Sequence, residues 1–304
     1  GEDLTVRQEK QVADAVARLA DHLRRPRSAA ELAASDPVDA FLGTWALGVR
    51  DVALATPAAE MLLTSDDERT RLAGARLLAD FDIATSGPGL ARAVEDPSLP
   101  VFAAALAAWP AQVHMYGRRS IPLTEPVRRT LLERVAAGSK VQEVETGIIG
   151  RLPRKTGSPL VADVLVCYSE DRPLDPALVA AASADGRWIA ARRWAETPGE
   201  HRVVLLGLLA DRSTNVRDVV AGALLSLPSI SEQEARTVES ALARKSADLR
   251  TTCLTLLRKQ SPSAVDASVV RLRAGNAEQQ RAAEELSPTP SADASAEADP
   301  TAPL

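Results

Sequence analysis

Residues 211–227 read DRSTNVRDVVAGALLSL, and this stretch decides the fold. Val216, Val219, Val220, Ala223 and Leu224 fall at i, i+3, i+4, i+7 and i+8, the spacing of one apolar face on an α-helix. The polar run Asp211-Arg212-Ser213-Thr214-Asn215 before it supplies capping groups and negative charge for a helix N-terminus. The same opening recurs at Leu249, with Thr252, Cys253, Leu256 and Leu257, and at Val101, with Ala104, Ala105, Ala108 and Trp109. Less clean copies open at Thr70, Val144 and Gly186. Successive openings lie 31, 43, 42, 30 and 33 residues apart, which suits one pair of packed helices per unit. The expectation is an all-α chain: an α-solenoid, or α/α superhelix, of about seven helix pairs.

Working outward, caps and turns mark the units. A first helix is expected after Thr5, with Val12, Val16, Leu19, Ala20 and Leu23 on one face and an end near Pro26. Ser28 with Glu31 forms a capping-box pattern, Asp36-Pro37 places an N-cap before a first-turn proline, and Val38, Phe41, Leu42, Trp45 and Val49 continue an apolar stripe. Residues 1–55 therefore read as an N-terminal helical cap. From residue 56, Thr56-Pro57, Thr124, Asp175-Pro176 and Ser231 with Glu234 are expected to start the first helices of successive pairs up to residue 286. Residues 287–304, SPTPSADASAEADPTAPL, are rich in Pro, Ser, Ala and acid, and are expected to be disordered.

The 304 residues are 45% hydrophobic but only 3% aromatic, so Ala, Leu and Val must pack the core through close helix contacts. A net charge of −5 argues against nucleic acid across the whole surface and leaves room for a local basic strip. Cys167 and Cys253 do not make a disulfide framework, which favours a reducing interior. No run of 18 apolar residues exists and the charged start GEDLTVRQEK has no signal-peptide core, so the expectation is a soluble, cytoplasmic protein without a membrane partner. A start at Gly1 leaves open a processed form or a piece of something longer.

One position after the opening residue the chain carries Arg71, Arg187, Arg217, Arg250 and, in a weaker copy, Arg281. Here the sequence resembles HEAT repeats, whose second helix commonly starts with Asp and Val-Arg before an Ala/Leu-rich face. The resemblance covers roughly residues 56–286 and implies that the arginine bridges neighbouring repeats. Phe102 and Glu145 stand at the equivalent place in two units and break the series. Within residues 238–286, the segments VESALARKSADLR, Leu254 to Gln260 and VVRLRAGNAEQQR resemble the repeat region of large bacterial MolR-type proteins, which carry a C-terminal region of unknown function.

Chemistry-bearing groups are sparse. His22, His114 and His201 are isolated, with no zinc spacing, and Ser86-Gly87-Pro88-Gly89 lacks a phosphate-loop pattern and reads as an interhelical turn. No cofactor, metal or catalytic residue is assigned. Two features bear on binding. Between residues 118 and 155, Arg118, Arg119, Arg128, Arg129, Arg134, Lys140, Arg151, Arg154 and Lys155 face only four acids, a local excess of +5 that suits an acidic protein partner or a phosphate backbone. The bland alternative is a solvated helix face and loop. The second feature is Asp185, Trp188 and Arg192, with Arg193 and Trp194 beside them; Trp188 and Arg192 share a helix face at i, i+4. The set resembles the Trp, Arg and Asp of HEAT-like DNA alkylpurine glycosylases, against core packing of the tryptophans. The leading reading is a noncatalytic protein-interaction scaffold with an unidentified protein partner; the alternative is a nucleic-acid-binding or glycosylase-type module.

Overall fold

A computed structural model of the chain describes residues 2–81, 83–109, 123–169 and 172–287. These residues are 70% helix, in seventeen helices, with one two-stranded sheet. They form two compact units, residues 1–190 and 191–304, each described by itself.

In the first unit, α1 (Glu2–Arg24), α2 (Ala29–Ala33), α3 (Pro37–Arg50), α4 (Val52–Leu62), α5 (Glu68–Asp80), α6 (Ile83–Glu95) and α7 (Leu99–Leu106) follow one another through short turns. From α2 to α7, each helix packs on the next and on the next but one, so α2, α4 and α6 make one layer and α3, α5 and α7 the other. The caps arise from local chemistry. Ser28 and Glu31 close the expected capping box, Asp36 accepts from the Val38 and Asp39 amides, and Asp67 accepts from the Thr70 amide. Between the layers lie Leu62, Leu72, Leu77, Leu78, Leu90 and Phe102.

Three local expectations in this unit are corrected. Thr56 does not cap a helix: α4 starts at Val52 on an Asp51 cap, and the Thr56 hydroxyl donates back to the Val52 carbonyl, so the helix runs through residue 55. Ser86-Gly87-Pro88-Gly89 is no turn but the middle of α6, where Gly89 lets the backbone approach Leu78 and Glu60. On α1 the inward positions are Ala15 and His22, while Val12 and Val16 stay exposed, as do Trp45 and Val49 on α3. The helix period was legible in the sequence, but the contact of α1 with α3 chooses the face.

The largest correction concerns Val144. The chain continues through α8 (Glu125–Ala136), which packs on α6, and then forms an antiparallel hairpin of β1 (Gln142–Glu145) and β2 (Pro153–Thr156). Val144 pairs with Arg154 in that hairpin and opens no helix. Gly147, Gly150 and Pro153 disfavour a helix here, and the Glu145 carboxylate holds the turn by accepting from the Gly147 and Leu152 amides. The helix that pairs with α8 is instead α9 (Ser158–Cys167), introduced by Gly157 at φ 151°, where a side chain would collide with the Lys140 carbonyl. The hairpin contacts α7 through both strands and α9 through β2. The two long spacings, 43 and 42 residues, bracket this insertion. α10 (Pro176–Ala181) follows on its Asp175 cap, and α11 (Ala184–Glu196) runs through the unit boundary.

The second unit carries α12 (Arg202–Leu208), α13 (Thr214–Ser226), α14 (Glu232–Ala241), α15 (Ala247–Leu257), α16 (Pro262–Arg273) and α17 (Ala277–Leu286). Even-numbered helices pack on even and odd on odd, and the consecutive pairs α12 with α13, α14 with α15 and α16 with α17 pack on each other, so two layers form again. Leu205, Val216, Val220, Leu224, Val238, Cys253, Leu256 and Leu257 fill the space between them. Ser287 is described and accepts from Arg273; residues 288–304, and with them the expected disordered tail beyond Ser287, lie outside the described residues.

Arginines join successive pairs within each unit. Arg71 donates to the Ser65 and Asp66 carbonyls of its own turn and to Asp96 before the next second-layer helix, at 2.8 Å. Arg217 does the same with the Asp211 carbonyl and Asp248, and Arg250 with Glu278. Arg187 binds the Ala182 carbonyl, and Arg281 stands 3.9 Å from Glu278. Arg71 and Arg217 thereby satisfy both loop carbonyls and a carboxylate that the turns would otherwise leave to water, and Arg250 satisfies a carboxylate of the next pair.

A pH dependence follows from one such pair. Arg202 binds the Glu234 carboxylate at 2.5 and 2.7 Å, and Glu234 also accepts from the Ser231 amide; led by the Arg202 bond, these contacts pull its pKa from 4.5 to about 2. The folded pKa is below the unfolded one, so the stabilisation is present above about pH 4.5 and is lost as pH falls towards 2. Glu234→Gln should lose stability at pH 6 but show a shallower decline between pH 4.5 and 2 than the parent, measured as denaturation midpoints across that range.

Candidate anion-binding groove

The described basic residues of the 118–155 stretch stand in different surroundings. Arg118 and Arg119 lie outside the described residues. Arg128, on α8, donates to the Tyr168 carbonyl and the Ser169 hydroxyl, both at 3.2 Å, at the end of α9. Burial lowers its pKa, with Arg172 adding to the effect and Glu125 opposing it. Arg134, two turns on, donates to the Asp96 carbonyl at 2.7 Å and lies 4.2 Å above the Phe102 ring. Burial again lowers its pKa, against the pull of Asp96. Both cations neutralise C-terminal carbonyls of other helices, so Arg128 and Arg134, two of the candidate partner-binding residues, already hold partners within the chain. Phe102, which breaks the arginine series, is the surface on which Arg134 stacks.

The remaining residues divide between two openings. Arg129 lines an open groove of about 440 Å³ beside α8, together with Glu95, Thr130 and Glu133, so its charge is balanced locally. Arg151 is exposed at the hairpin turn, 3.5 Å from Glu145, and Lys140 is exposed before β1. Arg154 and Lys155 line a second groove of about 350 Å³ between α7, β2 and α9, whose floor includes Ala103, Leu106, Val164 and Trp109. Lys155 is exposed and sits opposite Glu143 in the strand register. Arg154 is half-buried and forms no hydrogen bond or ion pair with a described residue; its Nε is wholly buried and unpartnered.

Two further groups at this place were not singled out as binding residues by the sequence. Trp109 is 2% exposed, and its indole Nε1 has no acceptor among the described residues. Arg76, on α5, has a buried Nη1 in the same condition and, among the described residues, reaches only Asp80, at 3.7 Å. Burial pulls the Arg76 guanidinium below its ordinary pKa; Asp80 opposes this and the nearby positive charge of Arg154 adds to it. Arg69, seven residues earlier on the same helix, points at the hairpin and donates to the Ile148 carbonyl at 3.4 Å. The i, i+7 spacing of Arg69 and Arg76 was a visible signal of two cations on one helix face. Which element would pack on that face was not visible. Chemically, the groove combines an apolar floor with positive charge and with N–H donors that lack an acceptor among the described residues.

The second sequence-derived set falls in the region of α11. Asp185 is exposed and its amide donates to the Ser183 hydroxyl at 3.2 Å. Ser183 is held in turn by the buried Asp163 carboxylate, through its amide and hydroxyl at 2.9 and 2.6 Å. Burial raises the Asp163 pKa, opposed by these bonds. Trp188 is half-buried and Arg192 exposed on α11. Trp194 is buried, with its ring 6.3 Å from that of His201.

Residues 179–292 match a family of unknown function, DUF5724. The matched stretch contains the Arg217–Asp248 and Arg250–Glu278 ties and leaves the hairpin groove outside. No curated protein and no solved structure matches the chain. Among the described residues, no cluster of three His, Cys, Asp or Glu side chains is placed to hold a metal ion, and no helix is long and apolar enough to cross a membrane. Cys253 is buried, which pushes its thiol up to about 12 and keeps it protonated at neutral pH.

Proposed function

We propose that the chain is a noncatalytic interaction scaffold in the cytoplasm, built as a HEAT-like solenoid akin to the repeat region of MolR-type proteins, which docks an acidic protein partner beside its hairpin. The observation that carries this reading is the hairpin groove, where Arg154 and Lys155 border an apolar floor and Arg154 has no acid of its own among the described residues. The Arg71 tie within the first unit supports it, because helices of that unit held by charge-assisted bonds present a preformed surface beside the hairpin and avoid ordering costs on binding.

The test starts from a partner captured by the full chain and identified by mass spectrometry. Arg129→Glu combined with Lys155→Glu, both exposed, should weaken its association at least about tenfold and flatten the salt dependence. Thermal stability should stay within about ±0.5 kcal/mol of the parent. Unchanged affinity and an unchanged salt slope would remove the docking role from this side. Duplex DNA binding by the parent, abolished in Trp188→Ala, would favour the nucleic-acid reading built on Asp185, Trp188 and Arg192.

A further inference from the structure

We infer that the groove between α7, β2 and α9 contains an oxyanion subsite, in which Arg154 receives a carboxylate or phosphate group of an acidic peptide segment. The inference deepens the docking reading and rests on it for the identity of the ligand as a peptide. Three observations converge. Arg154 borders the groove without a hydrogen-bonding or ionic partner among the described residues, and the buried Nε of a guanidinium without an acceptor is costly. Trp109, almost wholly buried, lines the same groove with an indole N–H that also lacks an acceptor among the described residues. Arg76 lies close enough to Arg154 for the two positive charges to oppose each other, and its Nη1 too is buried and unpartnered.

Like charges held together at low exposure call for a counter-charge, and the acids at hand among the described residues do not supply enough. Asp80 is mostly exposed and 3.7 Å from Arg76, Glu143 stands opposite Lys155, and Glu145 is committed to the turn amides. An oxyanion accepts from two or more N–H groups at once, which suits a fork such as Arg154. The apolar floor of Ala103, Leu106 and Val164 then takes the side chain beside the charged one. A ligand with a negative group next to an aliphatic residue satisfies both halves of the groove. Inorganic anions satisfy only the first half, and so bind more weakly.

The experiment uses the full chain and watches the indole N–H of Trp109 by nuclear magnetic resonance, assigned through Trp109→Phe. Sodium phosphate, sodium acetate and the peptides acetyl-Glu-Leu-Glu-amide and acetyl-phosphoSer-Leu-Glu-amide are titrated at constant ionic strength against sodium chloride. The Trp109 signal should move with saturation for at least one oxyanion and not for chloride, and the peptide carrying the preferred group should bind more tightly than the free anion. Acetate and the Glu peptide acting alone identify a carboxylate source, and phosphate and the phosphopeptide acting alone a phosphorylated one. Arg154→Gln should weaken the preferred peptide about tenfold or more, Arg154→Lys less, and Arg129→Gln not at all. A Trp109 signal that follows chloride and the oxyanions alike would overturn the subsite, as would equal binding by the parent and a folded Arg154→Gln. A captured partner that binds Arg154→Gln normally but loses affinity with Arg129→Glu and Lys155→Glu overturns the subsite and leaves the docking reading standing. Saturable anion binding at Arg154, with partner affinity indifferent to all these changes, does the reverse.

Discussion

Leu224→Ala and Leu257→Ala should each lower the unfolding free energy by about 2–5 kcal/mol, among the largest losses a single substitution in this chain can give. Leu224 on α13 and Leu257 on α15 are 1% and 0% exposed. They stand in the same position of two successive openings, each eight residues after Val216 and Leu249. The two helices pack against each other in one layer of the second unit, so each leucine is enclosed by its own pair and by the next. Truncation removes the transfer energy of the side chain and leaves a cavity that such a layer cannot collapse to fill. Equilibrium denaturation in urea measures the effect. Variants as stable as the parent would mean that the spaces around these leucines differ from the packing described.

Arg134→Ala should cost about 2–4 kcal/mol, whereas Arg129→Ala should stay within about ±0.5 kcal/mol. Five residues apart on one helix, with the same charge, they differ only in what the fold places next to them. Arg134 gives charge-assisted bonds to the Asp96 and Val94 carbonyls and lies on the Phe102 ring. Its loss takes this donor from the Val94 and Asp96 carbonyls and uncovers an aromatic face. Arg129 is exposed at a groove with Glu95 and Glu133. Thermal melts of the two variants side by side decide the matter: equal melting temperatures would sink the structural role given to Arg134. The comparison also guards the docking test, because charge reversal at Arg128 or Arg134 would damage the fold and imitate a lost interface.

The helical character, the capping boxes at Ser28 and Ser231, and the openings at Thr70, Val101, Val216 and Leu249 were legible because each rests on groups within about eight residues of one another. The hairpin was missed because Val144, Gly147, Ile148, Arg151 and Leu152 keep the i, i+3, i+4, i+7, i+8 places of the other openings while Gly147 and Gly150 remove the helical preference. Thr56-Pro57 misled for a related reason. Threonine before proline is a good cap in isolation, yet Asp51 five residues earlier caps the helix and Thr56 bonds back along it.

The candidate site was legible only as a tally of charge. Nine cations between residues 118 and 155 were visible as a group, with no indication of which were already occupied. Charge, helical period and capping depend on the residue and its near neighbours, and the sequence by itself determined those. Whether a guanidinium meets a carbonyl, an aromatic ring, a carboxylate or nothing depends on residues far along the chain: Arg134 on Asp96 and Phe102, Arg128 on Tyr168, and Arg154 beside Arg76 and Trp109. Only the tertiary structure decided these, because hydrogen bonds and desolvation act over a few ångströms of space that no spacing along the sequence specifies.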